Sequence, residues 1–332
     1  MNLSHRAMCG IWAGLTLAAV GALQGCGTTE STGGIFGAGL ALSAEELSGV
    51  VLFASTRDFN SELYYYSPLD EDPGRITTLS SNESQPCFSP DGTKIAFVSD
   101  YDGDDEIYTM DAIGGGNVLQ VTENTALDGR PRWSPDGSTL VYHSTVDNEW
   151  LELYTIPAAG GEPTRLTTND YPDSSPVFSP DGASIVWSAR PVSGQPAEIW
   201  VMDVATRTTQ SLTAATHSVN SESALFPAYA PVDANHPEDP VRIAYSVQPQ
   251  DTNTDIWVMN ADGTDAYQVT DTHSGATRPA WSADGQFIVF DMFSTGITTL
   301  YIVSAGGGTP AELLSDRQTE GSDTSPFFYP IP

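Results

Sequence analysis

The chain has 332 residues, with 43 Asp+Glu against 12 Lys+Arg and a formal net charge of −31. A surface this negative repels nucleic-acid phosphates and anionic headgroups, so nucleic acid and lipid surfaces are both poor partners. The 39% apolar and 10% aromatic content is too rich for an acidic disordered chain, while 30 Gly and 23 Pro point to turns and short strands rather than long helices.

Residues 1–25 read as an export leader. Arg6 and the terminal amine give a positive start, and residues 8–22 are uncharged and apolar. That run is shorter than the roughly 20 residues needed to span a bilayer. It ends in Leu23-Gln24-Gly25-Cys26, which resembles the lipobox of bacterial lipoproteins. The resemblance implies cleavage before Cys26, diacylation of its thiol and, with Gly27 next, sorting to the outer membrane. Cleavage removes Cys9 and lipidation uses Cys26, which leaves Cys87 alone and no internal disulfide. Cys87 lies in an apolar strand and reads as a buried small hydrophobe. Residues 26–48 form the lipidated cysteine and a tether of roughly 25 Å if it behaves as a flexible coil.

Self-similarity decides the fold. Pro86-Cys87-Phe88-Ser89-Pro90-Asp91-Gly92 recurs as Pro131-Arg132-Trp133-Ser134-Pro135-Asp136-Gly137 and as Pro176-Val177-Phe178-Ser179-Pro180-Asp181-Gly182. Variants follow at Pro279-Ala280-Trp281-Ser282-Ala283-Asp284-Gly285, at Pro227-Ala228-Tyr229-Ala230-Pro231 and at Pro326-Phe327-Phe328-Tyr329-Pro330. The spacing of about 45–52 residues is the period of a four-stranded blade. Second strands alternate in polarity at 95–97, 140–142, 185–187, 243–245 and 288–290. Third strands follow at 107–108, 153–154, 199–200, 256–257 and 300–301, and weaker fourth strands end at Thr122, Thr167, Thr213 and Thr270. Residues 51–55, 63–67 and 76–80 supply second, third and fourth strands with no first strand before them. Residues 326–330 supply the missing first strand. The two fragments complete one blade, so residues 49–332 are expected to close as an all-β, six-bladed β-propeller of antiparallel blades.

The succession Phe-Ser-Pro-Asp-Gly, Ile95-Ala96-Phe97-Val98-Ser99-Asp100, then Glu106-Ile107-Tyr108-Thr109-Met110-Asp111 resembles the PD40 (WD40-like) repeats of TolB-type propellers. Related repeats occur in prolyl-oligopeptidase-type propellers and some glycan lyases. The resemblance implies the propeller fold and a cell-envelope setting. The TolB family carries an α/β domain before its propeller, whereas here only leader and tether are expected ahead of the first strand.

The most repeated polar group is the turn aspartate: Asp91, Asp136, Asp181 and Asp284. Recurrence blade after blade, with Pro before and Gly after, makes it structural. The aromatics Phe88, Trp133, Phe178, Tyr229, Trp281 and Phe328 are expected in the core between blades. Asp100, Asp102 and Asp104 crowd one tight loop and are weak candidates for Ca²⁺, although the loop glycine falls too early for an EF-hand. No nucleophile elbow, zinc-protease helix, phosphate loop or dinucleotide fingerprint occurs, so no catalytic residue is assigned. His143, His217 and His273 fall on one end of the blades, where a ligand cluster is geometrically open.

That end is expected to be functional, because its fourth-to-first loops (123–130, 169–175, 214–226, 271–278 and 316–325) are long, polar and varied. Arg130 and Arg278 precede first strands there and Arg132 lies just inside one, placing three basic groups near the channel mouth. They and His273 form a candidate site for a carboxylate; the alternative is pairing with Asp128, Asp271 and other loop acids. The leading expectation is a monomeric envelope lipoprotein that binds a protein or peptide and touches the membrane through its lipid alone. The rival is a glycan lyase or hydrolase with its site at the loop-rich mouth.

Overall fold

The meander is set by the chemistry of one turn. In the structure, a computed structural model, Ser89 Oγ donates to Asp91 Oδ1 (2.6 Å) and accepts the Lys94 N–H (2.9 Å), while Gly92 adopts φ 67°. The structure describes residues 49–67, 72–147, 149–214, 216, 222–232, 236, 238–249, 253–272, 274–294, 296–314 and 321–329. The Ser–Asp bond recurs at 2.6 Å in Ser134–Asp136, Ser179–Asp181 and Ser282–Asp284. Hydrogen bonds from Ser134 and Ser138 hold the Asp136 carboxyl down at about 2. These aspartates are therefore spent on the turns, as their recurrence predicted.

The blades follow in chain order. The first joins β1 (Val51–Asp58), β2 (Asn60–Tyr66) and β3 (Gly74–Arg75). The second holds β4 (Glu83–Phe88), β5 (Lys94–Ser99), β6 (Glu106–Asp111) and β7 (Leu119–Gln120), and the third β8 (Asp128–Trp133), β9 (Thr139–Ser144), β10 (Glu152–Pro157) and β11 (Thr164–Arg165). The fourth holds β12 (Asp173–Phe178), β13 (Ser184–Ala189), β14 (Glu198–Asp203) and β15 (Thr209–Ser211). The fifth holds β16 (Ser223–Tyr229), β17 (Arg242–Gln248), β18 (Asp255–Asn260) and β19 (Tyr267–Gln268). The sixth holds β20 (Gly275–Trp281), β21 (Phe287–Ser294), β22 (Ile297–Ser304) and β23 (Ala311–Glu312), and β24 (Asp323–Phe328) returns to pair with β1.

Each blade is antiparallel throughout, and the first strands contact one another in the cycle β4–β8–β12–β16–β20–β24–β4. That cycle makes the molecule a closed six-bladed β-propeller with its first strands around the axis. Closure rests on Val51↔Phe328 and Ser55↔Asp323 register, on Tyr329 N–H to Val50 O (2.8 Å), and on Arg57 to the buried Asp323 (2.7 Å). The outer strands are shorter than the sequence suggested and stop before Val121–Thr122. The Val121 N–H still reaches Ile107 O at 2.7 Å, and Thr122 Oγ1 accepts the Ile107 N–H at 2.9 Å.

The core lies in the seams between blades. Cys87, Ala96 and Ile107 of one blade pack on Leu140, Tyr142, Tyr154 and Ile156 of the next. Cys87 is fully buried, and its thiol donates to Pro131 O (3.1 Å). Burial raises its pKa, which fits the inert role read from sequence. Toward the loop-rich end the seams hold acids with no exposure, Glu83 beside Glu62 and Glu106 beside Asp128, and one oxygen of each has no hydrogen-bond partner. A buried carboxyl group beside a second acid favours its protonated form. Burial accordingly pushes Glu83 and Glu106 up to about 7. Asp173, buried beneath the Trp187 Nε1–H (2.9 Å), is raised to about 6.

Candidate functional site

Every first strand carries the same irregularity. The residue before its proline has positive φ: Gln85, Arg130, Ser175, Phe226, Arg278 and Ser325, all between 54° and 56°. In each strand the register slips at that point, so two residues oppose one on the neighbour. This β-bulge re-aims one side chain per blade, and the left-handed backbone costs about 1 kcal/mol at each non-glycine residue. Five of the six bulge residues line the central cavity.

Four of the bulge N–H groups are caught by side chains of the preceding blade. Arg130 N–H donates to Gln85 Oε1 (2.6 Å), Ser175 N–H to His143 Nδ1 (3.3 Å), Phe226 N–H to Ser188 Oγ (3.0 Å), and Ser325 N–H to Asp291 Oδ2 (3.2 Å). His143 is thus a structural acceptor. Burial, with Arg130 adding repulsion, pushes its pKa down to about 3, so its imidazole stays neutral. Gly129 is required beside it, since a Cβ there would lie 2.6 Å from His143 Nε2.

The cavity encloses about 340 Å³ and runs from the bulges to the Ser-Pro turns, for example Ser89-Pro90 and Ser179-Pro180. It therefore occupies the turn-side half of the channel, away from the long loops that marked the expected mouth. At its inner end Phe226 reaches toward two cations: Arg130 Cζ lies 4.9 Å and Arg278 Cζ 5.8 Å from the ring centroid. Arg132 Cζ sits 5.3 Å from the Phe327 ring. Arg278 Nε donates to the fully buried Asp291 (2.6 Å). Burial, with Arg278 and Arg132 nearby, pulls the Arg130 guanidinium down to about 9.

Arg130, Arg132 and Arg278 are brought together, but Arg130 and Arg278 lie inside β8 and β20 rather than ahead of them. The bulge lets each strand begin before its proline. The acids expected to neutralise them are elsewhere. Asp128 is buried in a seam against Glu106 and accepts from Asn124 (2.8 Å); Asp271 is exposed. His217 and His273 lie outside the described residues. In the Asp100 loop, Asp100 accepts the Asn82 N–H and amide (2.7 Å each) and Asp102 accepts Gln120 (2.5 Å), while Asp104 Oδ2 is buried without a hydrogen-bond partner. Among the described residues no group of three or more His, Cys, Asp or Glu is placed to hold a metal ion. The six aromatics after the prolines do pack between blades, yet their edges also line the cavity.

Sequence reasoning missed Gln85, Ser175, Phe226 and Ser325 as equivalents of Arg130 and Arg278. The signal was present: in six aligned repeats, the position before proline changes chemistry each time.

The family model of the TolB beta propeller domain (PD40) matches residues 74–234. TolB from Acinetobacter baumannii is similar in structure, with a TM-score of 0.70 and 20% identity over 86% of this chain and 68% of that one. The putative TolB from Agrobacterium tumefaciens gives a TM-score of 0.62 and 18% identity over 86% of this chain and 100% of its own. Hydrazine synthase from Kuenenia stuttgartiensis gives 0.67 and 13% identity, covering 84% of this chain and 46% of that one. No curated protein matches the chain in sequence. The chain is a six-bladed β-propeller that resembles TolB propellers, and the family match spans residues 74–234. At these identities the structural likeness shows the fold alone, and that fold serves binding proteins and enzymes alike.

Proposed function

We propose that this chain is an envelope protein, held to the membrane by a lipid on Cys26, whose propeller binds a protein partner across its loop-rich face. One observation carries the reading: second-to-third hairpins of several blades present a large apolar side chain to solvent. Phe59 stands between β1 and β2, Tyr101 between β5 and β6, Trp150 between β9 and β10 and Val192 between β13 and β14, while Phe293 ends β21; all are exposed. Leu127, in a fourth-to-first loop on the same face, is exposed as well. Isolated apolar tips are ordinary, but a set repeated around one rim is the composition of an interface, where aromatics supply the anchors. The surrounding acids disfavour a lipid surface as the occupant. The TolB-like repeats and the lipobox-like leader support an envelope location.

Crosslinking in cells tests this. A photo-crosslinking residue placed at Phe59 or Phe293 is expected to capture the same envelope protein, while one at Ile113, on the opposite face, captures none. Equal capture from Ile113, or no discrete product from either tip, would refute the reading.

A further inference from the structure

The acidic chain concentrates the opposite charge in its channel. Of the three guanidinium groups there, Arg278 has a carboxylate, Asp291. That carboxylate is fully engaged, since it also accepts Thr277 Oγ1 (2.7 Å) and the Ser325 N–H (3.2 Å). Arg132 Nη1 donates to Pro131 O (2.8 Å), and the Arg130 guanidinium meets the Phe226 ring. Neither has a carboxylate partner among the described residues. The contrast with the rim is sharp, because Arg57, Arg75 and Arg165 each reach a buried acid within 3.0 Å. A guanidinium taken from water without an anion is costly, and an aromatic face returns only part of that cost. With 43 acids in the chain, two unpaired arginines facing a cavity describe a site shaped for an anion from outside.

We infer that the turn-side half of the central channel is a receptor for a carboxylate carried on an apolar body. Arg130 and Arg132 are its anion contacts, and Phe226 and Phe327 are the walls for the apolar part. The size supports a small ligand: about 340 Å³ lies at the low end of the roughly 300–1,000 Å³ of small-molecule sites. A folded domain cannot enter, although the end of a peptide can. The chemistry supports a single carboxylate: planar guanidinium forks match that group. The rest of the wall is largely proline and aromatic, with Ser175 and Ser325 as inner hydroxyls. A polyhydroxylated acidic sugar would leave most of its hydroxyl groups unpaired against such walls. The carboxylate can come from a free organic acid or from a peptide C-terminus. The site lies away from the hairpin rim, so it stands or falls independently of the partner proposed there.

Calorimetric titration of the full chain tests the receptor, using medium-chain alkanoic and aryl-alkanoic acids, their amides, and short peptides ending in Phe or Leu with free or amidated termini. At least one acid is expected to bind, with its amide weaker by about tenfold or more. Arg130→Gln should weaken that acid by a similar factor, Arg130→Lys should fall between, and Phe59→Ser should change nothing. If Arg130→Gln fails to fold, Arg132→Gln should show the same loss. Preference for free-terminus peptides would identify a peptide source and preference for small acids an organic acid; both support the receptor. If no acid outbinds its amide, or if folded arginine variants bind like the parent, the inference is overturned.

Discussion

The Ser-Pro-Asp-Gly turns and the first-strand bulges are both built from one backbone conformation repeated around the ring, yet their side chains behave oppositely. Four blades keep the same serine, aspartate and glycine in the turn, because each makes a bond that holds the backbone there. The bulges hold φ near 55° in all six blades while carrying glutamine, arginine, serine, phenylalanine, arginine and serine. A repeated backbone with a repeated side chain marks structure. A repeated backbone with a changing side chain marks a scaffold for chemistry, paid for by strain that packing must offset.

The largest expected effect breaks the simple form of that contrast. Gly129→Ala lies beside a bulge, and its Cβ would overlap the buried His143 ring; a loss of about 3 kcal/mol is expected from the denaturant midpoint. The bulge backbone is thus as unforgiving as any turn, and only the residue before proline is free to vary. Next, Ser89→Ala removes a hydroxyl that donates to Asp91 and accepts the Lys94 N–H, and should cost about 2 kcal/mol in the same measurement. Equal tolerance at Ser89 and at Ser175 would erase the distinction.

A smaller effect comes from the seams that join turns to bulges. Glu83, Glu106 and Asp173 have folded pKa values raised by burial, so the folded state holds protons that the unfolded chain has released. Their stabilisation is complete below the ordinary carboxylate range and is lost as pH rises through about 6 to 7. The melting temperature should fall by a few degrees between about pH 5 and 8, and Glu83→Gln should flatten that slope. A melting temperature that climbs over this range would show that these groups are not held protonated in the folded state. The smallest effect has the opposite sign. Arg130→Gln removes an unpaired, desolvated charge and should stabilise the fold by up to about 1 kcal/mol, even as carboxylate affinity drops. Clear destabilisation would assign Arg130 to the framework instead.

Much of this fold was legible before any coordinates. Strand alternation, the proline spacing and the split first blade are local or periodic, and they gave six blades, their closure and the structural role of the turn aspartates. Cys87 was readable for the same reason, since an apolar strand buries what it carries. The site was legible in part: Arg130, Arg132 and Arg278 do share the channel. Their surroundings were not, because Asp291, Asp128 and Asp271 are equally plausible partners along a chain, and only the β20–β21 register with its bulge places Asp291 against Arg278.

The sequence by itself determined the repeat, the number of blades and the chemistry of each turn, because these depend on neighbours a few residues apart. Only the tertiary structure decided that five of the six bulges aim a residue into the central cavity. It also put the cavity on the turn side rather than under the long loops, and left two of its arginines, Arg130 and Arg132, without a carboxylate partner among the described residues. Those facts depend on the radius of the ring and on contacts between residues about 30 to 195 positions apart, which no local pattern encodes.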